Sequence, residues 1–172
     1  SRGLGDVYKR QLRYVLRDLA AESGAFAYEY TGYLANIHSV ETYYQANIDM
    51  LDLHKFYSLF SPNQKIHTKV KNEEPTYYAP GCEVNTSQFA SGSIVEGKVV
   101  RSVVSRNVQI HKDSLVKESI VFPRVVIGEG AQVEYAIIDK GAEVADGVVI
   151  RGTAENPVVI KKGEKVTEDI LS

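Results

Sequence analysis

Cysteine occurs once in the 172 residues, at Cys82, and tryptophan not at all. A single cysteine excludes an intrachain disulfide framework and a cysteine-rich zinc site, and makes a reducing cytoplasm the simplest compartment. No uninterrupted apolar run approaches the roughly 20 residues that cross a bilayer, so no membrane span is expected. Neither sign of charge dominates. The net charge is −2 and the pI about 6.1, which leaves no electrostatic footprint for nucleic acid. No basic-then-apolar leader opens the chain. Methionine also occurs once, at Met50 inside a helical pattern, so the chain is expected to start within a longer protein or to have been processed. Residues 1–11 (SRGLGDVYKRQ) carry two glycines, three basic residues and no periodicity. They resemble adapter read-through and are set aside as a non-native leader, a natural loop being the alternative.

Residues 12–23 are predicted helical, with Leu12, Val15, Leu16 and Leu19 on one face and Gly24 just past the C-terminus. Phe26, Tyr28 and Tyr30 alternate with smaller or polar residues, which predicts a strand with one aromatic face. A second extended piece is expected at 33–37. Ser39 caps a predicted helix whose buried stripe is Tyr43, Tyr44, Asn47, Ile48 and Leu51, with Glu41, Gln45 and Asp49 facing out. From residue 53 the pattern weakens. Pro62, Asn63, Asn72, Pro75 and Pro80 punctuate a connector with one short extended segment at 65–70.

From Gly81 onward valine and isoleucine become dense, aromatics thin out and glycine recurs. The segment Val108-Gln-Ile-His-Lys-Asp-Ser-Leu-Val-Lys-Glu-Ser-Ile-Val121 matches Val125-Val-Ile-Gly-Glu-Gly-Ala-Gln-Val-Glu-Tyr-Ala-Ile-Ile138, 17 residues later. Val144 and Ile150 continue the series. Upstream, Ser93-Ile-Val95 and Ser102-Val-Val104 are aligned with Ser114-Leu-Val116 and Ser119-Ile-Val121. Aliphatics recur about every six residues (Val104, Ile110, Val116, Phe122, then Ile127, Val133, Ile138), mostly with a small residue two positions before. This is the hexapeptide repeat of a left-handed parallel β-helix: short flat sides, an inward aliphatic stacked on its counterpart, and a small residue in the crowded corner. Gly97, Asn107, Asp113, Gly128, Gly130, Gly141 and Gly147 suit the turns. Four to five coils are expected, with the charged end 163–172 closing the stack. A β-sandwich is the competing reading, opposed by three registers that agree at one offset.

The residues that could carry chemistry are few. His38, His54, His67 and His111 show no i,i+4 pair and have no cysteine beside them, so no metal site is expected. No Gly-rich phosphate loop or Gly-x-Ser-x-Gly elbow occurs. His111 follows an inward aliphatic on a coil. Hexapeptide acyltransferases use such a histidine as general base, which makes His111 the alternative candidate. Lys161, Lys162 and Lys165 form a small basic cluster that could attract an anionic effector. The tyrosines 28, 30, 33, 43 and 44 are expected in the core.

The segment Tyr30-Thr-Gly-Tyr-Leu-Ala-Asn-Ile-His-Ser-Val-Glu-Thr-Tyr-Tyr-Gln-Ala-Asn-Ile-Asp-Met-Leu, followed by a connector and hexapeptide coils, resembles the end of the nucleotidyltransferase domain of bacterial glucose-1-phosphate adenylyltransferase (ADP-glucose pyrophosphorylase). Pro75-Thr-Tyr-Tyr-Ala-Pro, Ser102-Val-Val-Ser and Ala136-Ile-Ile-Asp-Lys140 look like the coils of the same family. The resemblance implies a tail of the nucleotidyltransferase domain at 12–55, a connector at 56–80 and a β-helix domain at 81–172, mostly β overall. Catalytic subunits of the family carry Gly-Tyr-Trp-x-Asp-Val-Gly-Thr, whose Asp helps hold magnesium. Here the matching residue is Asn36, between Tyr33 and His38. A neutral carbonyl in place of a carboxylate binds a hard divalent cation poorly. The pattern is similar to the non-catalytic, regulatory-type subunit of the family. That implies a cytoplasmic hetro-oligomer, a tetramer, with a catalytic partner that uses Mg²⁺ in glycogen biosynthesis. It also implies that this piece alone is inactive and holds no cofactor. Residues 12–53, lacking the rest of their sheet, are expected to be marginally ordered.

Overall fold

A computed structural model gives the positions of residues 14–15, 17–24, 26, 28–60, 66–67, 69 and 72–172. The leader 1–11, Leu12 and Leu16 of the first helix, and much of 65–70 lie outside the described residues. The chain divides into two units, Ser1–Gly32 and Tyr33–Ser172. In the first, the described residues between 14 and 23 are helical, and Gly24 takes the left-handed conformation (φ 65°) that stops a helix without a Cβ penalty. The strand expected at 26–30 does not form among the described residues. A strand needs a neighbour for its N–H and C=O groups, and Tyr28 is 88% exposed. Of the tyrosines expected in the core, only Tyr44 is fully buried.

The second unit starts with residues 33–38, which form no strand, and runs through Ser39 into helix α1, Val40–Ile48. Ser39 caps it: its hydroxyl accepts the Thr42 N–H at 3.1 Å, and the Thr42 hydroxyl accepts the Ser39 N–H at 3.0 Å. A 3₁₀ turn, Asp49–Leu51, follows. Next comes a helix missed in the sequence, α2, Leu53–Leu59, inside the stretch read as weakly patterned. Its signal was Asp52, whose carboxylate accepts the N–H groups of His54 and Lys55.

From Tyr77 the chain winds as a parallel β-solenoid, the left-handed β-helix of hexapeptide repeats. Two faces are six-stranded sheets and the third is five-stranded. All pairs are parallel and join neighbouring coils, which rules out the sandwich. On the first face Val126 sits over Gln109 and Glu143 over Val126, the expected 17-residue offset. The inward column of that face is Val95, Ile110, Ile127, Val144 and Val166, all buried. The second face stacks Val99, Val116, Val133 and Ile150, and the third Val104, Val121, Ile138 and Ile160.

There are six turns rather than four to five. The first was hidden because its inward residues are Tyr78, Val84 and Phe89, where Tyr78 and Phe89 meet edge to face at 5.5 Å. The last was hidden by the insert around Thr153–Pro157, which lets Ala136 pair with Val158. Its closing strands, Lys165–Val166 and Ile170–Leu171, complete two faces only.

Two register expectations are corrected. Ser93-Ile-Val95 lies over Val108-Gln-Ile110, not over Ser114-Leu-Val116. The corner after Val95 is only Glu96-Gly97, whereas the next coil uses His111-Lys-Asp-Ser114, so one coil is shorter. A Cβ on Gly97 would lie 2.7 Å from the His111 carbonyl oxygen, which explains the glycine there without any positive φ. Phe122 is not inward either. Val121 fills the core and Phe122 packs outside.

The small-residue positions hold a ladder of serines. The Ser119 hydroxyl accepts the buried Ala136 N–H at 3.1 Å and donates to the Lys117 carbonyl at 2.7 Å. One coil back, Ser102 repeats both bonds, and Ser87 does the same in the coil before. Each hydroxyl satisfies a backbone donor that the turn leaves unpaired.

Helix α1 lies on the outer side of the third face. Tyr44 and Ile48 are buried with Ile120 and Ile137, flanked by Tyr43, Leu51, Phe122, Tyr135 and Ala154. The Tyr44 hydroxyl donates to the Glu118 carbonyl at 2.6 Å. Burial pushes the Tyr44 phenol well above the ordinary tyrosine range, aided by the nearby Glu118 charge.

Candidate functional site

The segment 33–38 carries the sequence-nominated residues Tyr33, Asn36 and His38. Asn36 and His38 are exposed, and His38 Nδ1 lies 3.1 Å from the Asn36 carbonyl oxygen. The His38 N–H donates to the Thr42 hydroxyl at 3.1 Å, so the segment is tied to the first turn of α1. Tyr33 donates to Asp49 Oδ2 at 3.1 Å. Asp49 was expected to face out. Instead its side chain is only 16% exposed, because Lys55 Nζ at 2.6 Å and Gln45 Nε2 at 2.9 Å also converge on its Oδ1. Burial alone would raise its pKa. The hydrogen bonds from Lys55, Gln45 and Tyr33 outweigh that and hold the carboxyl below its usual value.

Nothing in 33–38 supplies a carboxylate, and the one bonded to it, Asp49, already takes three donors. An amide, a phenol and an imidazole do not match the oxygen-rich donor set a hard cation needs. Among the described residues, no group of three His, Cys, Asp or Glu side chains could hold a metal ion.

His111 sits in the corner between the first and second faces. Its Nδ1 is 3.4 Å from Glu96 Oε2, longer than a good hydrogen bond, and its carbonyl accepts the Ser114 hydroxyl at 2.5 Å.

Charge on the stack is distributed unevenly. Along the second face and its following corner, cations and carboxylates of successive coils pair: Glu83 with Lys98 at 2.6 Å, Arg101 with Glu118 at 2.6 Å, and Glu134 with Arg151 at 2.8 Å. The corner between the third and first faces is different. The backbone ladder there runs Asn107 to Ser91, Arg124 to Arg106, Gly141 to Pro123 and Gly163 to Lys140. It brings Arg106, Arg124, Lys140, Lys161 and Lys162 onto one edge. Coils repeat every ~4.8 Å, so these cations span roughly 14 Å. Arg106 has a long contact of 3.9 Å with Glu73. Lys165, grouped with Lys161 and Lys162 in the sequence, is instead held by Glu143 at 2.8 Å. That hydrogen bond and charge raise its pKa. Arg124 and Lys140 were missed because they become neighbours of Lys161 only through the coil repeat.

Residues 70–169 match the model of the GlmU-like C-terminal hexapeptide family. The chain belongs to that family. Within it, the chain is similar to the glycogen biosynthesis protein GlgD of Bacillus subtilis, 38% identical over 136 residues, covering 79% of this chain and 40% of that protein. It is also similar to the glucose-1-phosphate adenylyltransferase of Corynebacterium jeikeium, at 32% over 137 residues, covering 77% and 34%. The Bacillus mycoides glucose-1-phosphate adenylyltransferase matches at 31% over 140 residues, covering 80% and 37%. The hexapeptide chain thus spans about two fifths of the length of these relatives or less. The resemblance to the glucose-1-phosphate adenylyltransferase family is borne out by these relatives, one of which is named for glycogen biosynthesis. Among the described residues, no helix of this hexapeptide protein is long and apolar enough to cross a membrane.

Proposed function

We propose that this chain is the C-terminal part of a regulatory-type subunit of glucose-1-phosphate adenylyltransferase, the enzyme that converts ATP and glucose 1-phosphate to ADP-glucose and pyrophosphate. It would modulate a catalytic partner in a cytoplasmic hetero-oligomer, a tetramer, rather than carry the reaction. The observation that carries this reading is Asn36. The position that is a magnesium-holding carboxylate in catalytic subunits is here an exposed amide, and segment 33–38 around it holds no carboxylate. Mg²⁺ belongs, in this reading, to the catalytic partner, where it offsets charge on the transferring phosphoryl group. The similarity to GlgD, whose name states glycogen biosynthesis without stating the transferase reaction, supports the same division of labour. The cation-rich corner of Arg106, Arg124, Lys140, Lys161 and Lys162, which also holds Asp139 and Glu164, is the place for an anionic effector. Like charges stacked in register repel, and a bound anion relieves that repulsion. A cytoplasmic setting fits relatives named for a sugar phosphate.

The test is pyrophosphate release from ATP and glucose 1-phosphate with Mg²⁺, using the subunit at its full natural length, alone and mixed with a catalytic subunit of the same source. Silence alone with altered activity in the mixture is expected. Strong activity alone would make it a catalytic subunit. No effect in either would reopen the acyltransferase reading on His111.

A further inference from the structure

The turn at Asp49–Leu51 binds in three directions through three consecutive residues. Asp49 takes the Tyr33 hydroxyl at 3.1 Å, so it holds the start of segment 33–38. The Met50 carbonyl accepts Gln88 Nε2 at 2.7 Å, from the third face of the first coil. Leu51 packs on the cluster of Tyr44, Ile48, Ile120 and Ile137. Lys55 from α2 and Gln45 from α1 complete the carboxylate's partners. A charged group kept mostly from water with three donors is costly to assemble unless its geometry is fixed. Each donor comes from a different element, so the geometry fixes those elements relative to one another.

We propose that Asp49 is a positioning residue that locks segment 33–38 to the β-helix, so that the Asn36 loop and the coils move as one body. The inference rests on the regulatory reading only for its consequence: a signal bound on the coils reaches the Asn36 loop through this turn. Tyr33→Phe isolates the idea, because it removes the bond to Asp49 and leaves Lys55 and Gln45 in place. Asp49→Asn is the second variant, with the shape kept and the charge removed.

Backbone order parameters of this chain, measured by NMR relaxation, are the first readout. In the wild type, 33–38 should be as rigid as α1, with values near 0.85. In both variants 33–36 should fall below about 0.6, while His38, still tied to Thr42, and residues 94–150 stay unchanged. The Tyr33 phenol, raised by burial and by its hydrogen bond to Asp49, should titrate lower in Asp49→Asn. The second readout is the mixture with catalytic subunit. Association should persist, while the change in partner activity shrinks by roughly tenfold, the scale of one charge-assisted hydrogen bond. Unchanged order in 33–36 in both variants would overturn the proposal, as would undiminished modulation. If the wild type never modulates a partner, the regulatory reading fails, and the order parameters still decide the lock.

Discussion

The stack and the lead that docks on it are held by different kinds of interaction. Inside the middle of the stack each inward side chain repeats what lies above and below it: Ile110, Ile127 and Val144 form one column, and Val116, Val133 and Ile150 another. Stability there is close to a sum over neighbouring turns. The lead, residues 33–60, has no repeat. It is fastened by single contacts: Tyr44 and Ile48 against Ile120 and Ile137, the Tyr44 hydroxyl on the Glu118 carbonyl, and Gln88 Nε2 on the Met50 carbonyl. Repetition makes the stack tolerant of one weak turn, such as the half-exposed first coil with Tyr78 at 46%. Lack of repetition makes the lead releasable by one change, which suits a part that transmits a signal.

The largest break in that contrast should come from Val133→Asp. An unpaired carboxylate in the centre of the core costs about 5 kcal/mol or more, comparable with the whole stability of a small domain. Thermal unfolding by circular dichroism should show the sheet signal lost or its midpoint far lower. Retention of a near-native midpoint would mean the column is not a continuous core.

Next in size is Tyr44→Ala, with a cost of about 3–5 kcal/mol by analogy with other buried aromatics. It should act on the lead alone. Limited proteolysis should cut within 40–60 while leaving 94–166 intact. The same release should occur without mutation at high pH. Because folding raises the Tyr44 pKa, its stabilisation is complete below the ordinary value of about 10 and is lost as pH rises above it, where only the undocked phenol ionises.

A smaller effect sharpens the picture of the stack. Ser119→Ala leaves the buried Ala136 N–H without its acceptor, at a cost of about 1–3 kcal/mol. Equilibrium denaturation should show a single cooperative transition shifted to lower denaturant, since one rung is lost from a ladder that Ser87 and Ser102 continue.

The same contrast decided what could be read from the residues. The middle coils were legible because Val108–Val121 and Val125–Ile138 place like on like, so the register was fixed several times over. The first and last coils were not, because Tyr78 and Phe89 break the aliphatic pattern and the insert before Val158 breaks the spacing. One corner of two residues was enough to misalign Ser93-Ile-Val95. In the lead, α1 was legible from Ser39 and its apolar stripe, whereas α2 was lost among turn formers although Asp52 marked its start. The segment 33–38 and His111 were located as sequence positions. The partners that give them meaning were not: Asp49 looks like a solvent-facing residue of α1 until Lys55 and Tyr33 close over it, and Lys140 joins Lys161 only through the winding of the coils. Repeats announce themselves in one dimension, and single tertiary contacts do not.

Hydrogen exchange followed by mass spectrometry on this chain at neutral pH tests the central contrast most directly. Residues 94–150 should exchange together and slowest, as one cooperative unit, with 40–51 forming a second, faster class that is still far slower than an unfolded peptide. Exchange of 40–51 at unfolded-peptide rates, or in step with the stack, would contradict a lead fastened by a few independent contacts.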